Sequence, residues 1–304
     1  MERSGSNTDE SNIRSGFAST DDGVQLFYRS VGQGPPVICC NGVGVSTFFW
    51  KYIVEHLRSK FQVIVWDYRG HGRSTSPSDV YNCDLTMTRN AKDLACVLDT
   101  LQIDTPAILL GHSMGCQVIL ETYHQFPQRC RALVPMFGTF AKPLDTFMDF
   151  RHSRTIFEWV RRIAIRSGRR GRRLMRPLFA NPLGFQVGGL TGLIDGRYAE
   201  REDIAMYMAH LNEMDQDVFF RMVSLMADHD LTELLPKITI PVLVFAAEKD
   251  LFTPLHRSQT MATSIPEAEL MILAEASHAA IVEHPETINL RLDRFLRERV
   301  FVNG

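Results

Sequence analysis

The pentapeptide Gly111-His112-Ser113-Met114-Gly115 constrains this chain more than any other stretch. It follows the apolar run Ala107-Ile108-Leu109-Leu110 and precedes the helical pattern Cys116 to Phe126. A serine flanked in this way sits on a tight, strained turn between a strand and a helix, with its hydroxyl projecting above the sheet. The glycines keep side chains out of the turn and off the neighbouring strand. The backbone N–H of Met114 then points to where charge would develop on a substrate oxygen. Ser113 is the predicted nucleophile, provided that a buried strand lies before it and a helix behind it.

The rest of the chain supplies such surroundings. Val24 to Arg29 alternates like an edge strand. Apolar runs recur at Val37 to Cys40, Phe61 to Trp66, Ala107 to Leu110, Ala132 to Phe137, Pro241 to Ala247 and Leu270 to Leu273. Runs this short and this continuous suit strands buried on both faces of a parallel sheet. Between them, Ala91, Leu94, Ala95, Leu98 and Leu101 share one face at the 3.6-residue period. Ile288, Leu292, Phe295 and Leu296 do the same after Pro285. The expectation is an α/β fold with a mostly parallel, doubly wound sheet. From about Phe140 to Leu231 the alternation stops, and Phe, Met, Trp and Arg recur at helical spacing. This predicts a polar, disordered lead over residues 1–16 and a core domain over 17–139 and 232–304. A helical cap over 140–231 interrupts that core.

Charge and cysteine usage narrow the function. The 304 residues carry 33 basic and 35 acidic side chains, for a formal net charge of −2. That balance argues against nucleic acid as a partner. No apolar stretch approaches the length of a membrane span, and the first residues lack the apolar core of a secretory signal. The six cysteines show no C-x-x-C spacing. A reduced, cytoplasmic setting is expected.

A serine hydroxyl needs a base beside it. His278 lies in Ala276-Ser277-His278-Ala279-Ala280, just past the last apolar run, where a loop would carry it over the end of the sheet. A polar surface role is expected for His71, His112, His256 and His284. The acid that orients the base should fall between serine and histidine in the chain. Asp250 does so at the end of the run starting at Val242, and Asp145 is its main competitor. Asn41-Gly42-Val43-Gly44 follows the strand Val37 to Cys40, and its glycines allow N–H groups to turn inward. Val43 and Met114 are the predicted backbone oxyanion donors.

These motifs resemble, in order and spacing, the α/β-hydrolase family from about Val24 onward. Asp67-Tyr68-Arg69-Gly70-His71-Gly72-Arg73-Ser74 looks like the D-x-R-G-x-G-x-S loop of its capped esterase, haloperoxidase-like and C–C-bond-hydrolase branches. The resemblance implies a serine hydrolase with Ser113, Asp250 and His278 as triad and no metal or organic cofactor. Dehalogenase-like and epoxide-hydrolase-like members use an aspartate where this chain has Ser113. Asn41 stands where many relatives have histidine, which argues against close kinship with lipases of the H-G-G-G type.

The expected reaction is hydrolysis of a small to medium hydrophobic carboxylic ester through an acyl-enzyme. C–C bond hydrolysis of a diketone or acyl transfer is the alternative, and a non-catalytic binding protein is a third reading. Cap residues such as Phe157, Phe219, Met206, Met214 and Met222 are candidates for an adaptable apolar lining, or for the core of the cap and its seam with the sheet domain. Arg161, Arg162, Arg166, Arg169, Arg170, Arg172, Arg173 and Arg176 form a basic run. It suggests either weak contact with anionic lipid or a solvated surface segment.

Overall fold

The computed structural model describes residues 12–146, 152–159, 161–162 and 194–302. Eight strands make one sheet: β1 (Ile13–Ser19), β2 (Gln25–Val31), β3 (Pro36–Cys40), β4 (Gln62–Trp66), β5 (Ala107–His112), β6 (Cys130–Met136), β7 (Leu243–Ala247) and β8 (Glu269–Leu273). Their order across the sheet is β1-β2-β4-β3-β5-β6-β7-β8. The first two junctions, β1–β2 and β2–β4, are antiparallel, and every later one is parallel.

The helices that cover it are α1 (Lys51–Leu57), α2 (Met87–Thr100), α3 (Met114–Gln125), α4 (Arg201–Glu213), α5 (Gln216–Asp228), α6 (Leu255–Ser264) and α7 (Pro285–Phe295). Thr86 caps α2 by accepting the Arg89 N–H, and Pro285 opens α7, where a missing N–H costs nothing.

Side chains alternate between two cores, as strands buried on both faces require. Ile38, Cys40, Ile64, Trp66 and Leu109 pack with Leu94 and Leu98 of α2 and with Val118 and Ile119 of α3. Val37, Cys39, Val63, Val65 and Leu110 pack on the other side with Ile53 and Leu57 of α1 and with Ile288, Leu292 and Phe295 of α7.

Three expectations change. Residues 13–16, read as part of a disordered lead, belong to β1, which pairs with β2 over seven residues from Ile13–Val31 to Ser19–Gln25. Backbone pairing holds this strand, while Phe17 stays half exposed, so its composition carries no core signal. Consequently Val24 to Arg29 is not an edge. β8 is one, and most of its residues are only partly buried.

Between β6 and β7 the described elements are helical: the turn Pro143–Thr146, residues 153–159, α4 and α5. The chain leaves and re-enters the sheet domain side by side. Ala141 bridges Asp230, the Lys142 N–H donates to His229 O, and the Leu231 N–H donates to Phe140 O. Of the basic run, Arg161 and Arg162 are described. Arg166, Arg169, Arg170, Arg172, Arg173 and Arg176 lie outside the described residues.

The sheet's order reverses around β3. From β3 the chain goes to β4 on one side, then returns to β5 on the other. The loops leaving β3 and β5 therefore diverge at neighbouring strand ends, the place where open α/β sheets form a crevice. Those loops carry Asn41–Gly44 and Ser113.

Candidate active site

Ser113 caps the N-terminus of α3 with φ 55° and ψ −116°. This backbone region is strained for any residue with a Cβ, and such strain is retained where the surroundings enforce it. Here the enforcement is packing. A Cβ on Gly111 would overlap the carbonyl of Gly115, and one on Gly115 would overlap the carbonyl of Cys40. The Ser113 N–H is held by Met136 O at 3.0 Å.

The structure brings the three predicted side chains together. The Ser113 hydroxyl donates to His278 Nε2 at 2.9 Å, and His278 Nδ1–H donates to Asp250 Oδ2 at 2.8 Å. Asp250 is itself fixed. Its Oδ1 accepts the N–H groups of Phe252 and Thr253 at 2.8 and 2.9 Å, and its Oδ2 accepts the Thr253 hydroxyl at 2.7 Å. With the acceptor side spoken for, the imidazole carries its proton on Nδ1 and turns a bare Nε2 toward the serine. Phe252 stacks on the His278 ring at 5.2 Å. The competing carboxylate, Asp145, is exposed and pairs with Arg154 instead.

Two of the four remaining histidines depart from the expected surface role. His112 is buried, and its Nε2–H donates to the His278 carbonyl at 3.0 Å, so it braces the base from behind. Burial, aided by the neighbouring His278, lowers its pKa to about 3. His71 is fully buried as well. His256 is exposed and His284 is partly buried. The positions adjoining a strained turn or a crowded loop face inward because there is no solvent beside them, and residue type alone does not reveal this.

Glu283 was also missed. It accepts the Ser277 N–H at 3.0 Å, the Ser277 hydroxyl, and the Asp195 N–H at 2.6 Å. One carboxylate thus ties the loop bearing His278 to the segment that precedes α4. The spacing Ser277 to Glu283 resembles any helix entry, so nothing in the sequence marks it.

A cavity of about 110 Å³ opens beside Ser113 and His278. Its core-side wall includes Gly42, Val43, Val45, Phe49, Phe252 and Val282, and its cap-side wall includes Ile194, Asp203, Tyr207 and Phe219. Gly42 is close enough that a Cβ would lie 3.1 Å from the Ser113 Cβ. Val43 lines the cavity, and Met114 is the first residue of α3, whose N–H has no acceptor one turn earlier in the helix.

Of the two roles open to the Met and Phe side chains of the cap, Met214 and Met222 take the second. Both are buried in the seam between cap and sheet domain, with Val218 and Tyr68. Phe219 is the predicted cap residue that reaches the cavity. Phe147, Met148, Phe150, Leu174, Met175, Phe179 and Phe185 lie outside the described residues.

Asp203 adds a polar element that sequence patterning missed. It is buried in the first turn of α4, where it takes Lys51 Nζ at 2.6 Å and the Tyr52 hydroxyl at 3.0 Å from α1.

Residues 35–285 match the family model described as the alpha/beta hydrolase fold. A protein of Azorhizobium caulinodans that bears the provisional name carbamate hydrolase RutD is 29% identical over 275 residues, covering 90% of this chain and 96% of its own length. The 3-oxoadipate enol-lactonase 2 of Acinetobacter baylyi is 27% identical over 281 residues, covering 91% and 95%. Among solved structures, a hydrolase from Pseudomonas aeruginosa PA01 superposes with a TM-score of 0.74 at 25% identity, covering 93% of this chain and 98% of that one. With the sheet order, the strained turn at Ser113 and the matched span in agreement, the chain belongs to the α/β-hydrolase family.

Proposed function

We propose that this protein is a serine hydrolase that cleaves a small to medium, hydrophobic carboxylic ester through an acyl-enzyme. The observation that carries the reading is the unbroken relay from Ser113 through His278 to Asp250, with steps of 2.9 and 2.8 Å, opening onto a mainly apolar cavity.

In this mechanism His278 Nε2 takes the Ser113 proton as Oγ attacks the substrate carbonyl. Asp250 stays ionised and stabilises the imidazolium without taking the proton. Negative charge on the tetrahedral oxygen is met by the N–H groups of Val43 and Met114, each of which is expected to contribute about 10²–10³ in turnover. Collapse expels the alkoxide, which His278 protonates. Water, activated by the same base, then attacks the acyl-Ser113 ester and releases the acid. The relatives' names, a provisional carbamate hydrolase and an enol-lactonase, support hydrolysis at a carbonyl compound. The apolar wall of Val43, Val45, Phe49, Phe219 and Val282 favours a short hydrocarbon group over a charged one.

The test is hydrolysis of p-nitrophenyl esters from acetate to laurate by wild type and Ser113→Ala. Short esters are expected to turn over in wild type, with loss of at least about 10⁴-fold in the variant. Ester turnover that survives Ser113→Ala would falsify the nucleophile. A wild type that labels with a fluorophosphonate at Ser113 yet ignores every ester would shift the reaction to C–C hydrolysis or acyl transfer. With neither labelling nor turnover, the protein would be a binding member of the family.

A further inference from the structure

The loop Asp67 to Ser74 is a strong sequence motif, yet none of its side chains enters the reaction above. Most of it is structural. Asp67 accepts the N–H groups of Thr47 and Arg73, both at 3.0 Å, and Ser74 bridges Phe27 N–H and Asp67 O. Arg69 is fully buried and forks onto Asp93, with Nε and Nη2 at 2.7 and 2.8 Å. His71 differs, because it accepts from Gly44, next to Val43 in the cavity wall.

The Gly44 N–H donates to His71 Nε2 at 3.1 Å, and His71 Nδ1 lies 3.3 Å from the Arg69 carbonyl. A carbonyl only accepts, so Nδ1 must carry the proton. A backbone N–H only donates, so Nε2 must be bare. A neutral imidazole has one group of each kind, and both contacts call for the same tautomer. The ring is held in place by Tyr68, edge-on at 5.8 Å, and faces His210 of α4 at 6.3 Å. Burial, reinforced by His210 and opposed by the Arg69 carbonyl, lowers the His71 pKa to about 4, which keeps the ring neutral near pH 7.

Gly44 has φ +75°, and a Cβ there would lie 2.9 Å from Leu211 and 3.1 Å from Phe219 in the cap. The Asn41 side chain anchors the start of this turn, donating to Trp66 O and accepting from Trp50 Nε1, both at 2.7 Å, whereas Gly44 at the far end has only its backbone to hold it. Tyr68 donates to Asn41 O at one end, and His71 takes Gly44 N–H at the other. Val43 lies between these ties, in the cavity wall, and among the described residues its N–H has no acceptor.

We propose that His71 is a positioning residue of the oxyanion loop, whose bare Nε2 fixes the Gly44 N–H and thereby leaves the Val43 N–H for the substrate oxygen. The proposal rests on the hydrolase reading above. It gives the conspicuous loop a task in catalysis, because an oxyanion donor contributes only when it is held in place before charge develops.

The experiment compares His71→Gln with His71→Met. The two side chains have similar length, but only glutamine offers an amide oxygen as an acceptor for Gly44. On p-nitrophenyl acetate, His71→Met is expected to lower kcat by about 10- to 100-fold with KM within about twofold, as for a small misplacement of catalytic groups. Fluorophosphonate labelling of Ser113 is expected to slow in parallel, and His71→Gln to recover most of both rates. Equal losses in Met and Gln, or a change in KM alone, would overturn the proposal in favour of packing. Nitrogen-15 NMR of His71 in the wild type gives a readout independent of activity. Protonated Nδ1 with bare Nε2 is expected, and the opposite tautomer overturns the contact whatever the kinetics. Should the wild type neither label nor turn over while showing the expected tautomer, the hydrolase reading fails, and the catalytic role of His71 fails with it.

Discussion

The sheet beneath Ser113 and the cap above it are held by different forces. Under the site, β3, β5 and β7 are buried along their whole length, and their side chains alternate between two apolar cores. Above it, α4 meets α1 through Lys51, Tyr52 and Asp203, and the Lys51 side chain remains one-third exposed. A second cap helix among the described residues, α5, sits between these extremes. Val218 and Met222 are buried in the seam, and Phe219 faces the cavity. Apolar strands give Ser113 and its neighbours a fully buried footing, whereas an ion pair whose ammonium is partly solvated contributes less to stability. The floor of the site should therefore be sensitive to substitution and the α4 contact forgiving.

Four measurements would break or sharpen that contrast. The largest effect is expected for Asp250→Asn. It leaves the loop's shape nearly intact but favours the wrong His278 tautomer, so kcat should fall by about 10⁴-fold. A loss below about tenfold in esterase assays would mean that Asp250 is not the group orienting the base.

Next comes Arg69→Met in the fully buried pair with Asp93. Asp93 would keep Arg89 Nε at 2.8 Å but lose both hydrogen bonds of the Arg69 fork, which is expected to cost about 3 kcal/mol in urea unfolding. A cost under 1 kcal/mol would show that the loop beneath the site is less committed than its burial implies.

The third prediction concerns acid. His71 and His112 have pKa values lowered to about 4 and about 3, chiefly by burial. Unfolded, both titrate near 6.5, so between these values the unfolded chain binds more protons. Their contribution to stability is complete above about pH 6.5 and is lost as pH falls through about 4 for His71 and about 3 for His112. His112→Gln should flatten the fall in urea midpoint over that window. An unchanged slope would exclude His112 as a source of acid sensitivity.

The smallest effect belongs to the cap. Lys51→Met should cost about 1–2 kcal/mol, because the removed ammonium is one-third exposed but the buried Asp203 carboxylate keeps only the Tyr52 hydroxyl. A larger cost in the same urea experiment would mean that α4 is anchored as firmly as the sheet.

Much of the core was legible because its signals are local. Six continuous apolar runs became β3 to β8, and a periodic stripe became α2. The turn at Ser113 was legible for the same reason, since glycines on both sides of it report a place in which no Cβ fits. β1 escaped because its place comes from pairing with β2, a relation between distant backbones. The cap lining escaped because a helical stripe of Met and Phe does not say which face meets the cavity. Met222 and Phe219 lie three residues apart on α5, yet one fills the seam and the other reaches the site.

By itself, the sequence determined the parallel α/β architecture, the strained serine and the order of Ser113, Asp250 and His278, since each depends on neighbours a few residues away. Only the tertiary structure decided which histidines are buried, that Glu283 joins the base loop to the segment before α4, and that Gly44 rests on His71. The contacts of Glu283 with Asp195 and of His71 with Gly44 join residues 88 and 27 positions apart, and burial turns on the absence of water. Folding brings such groups together through the packing of the whole sheet, and no local pattern in the chain records the distance between them.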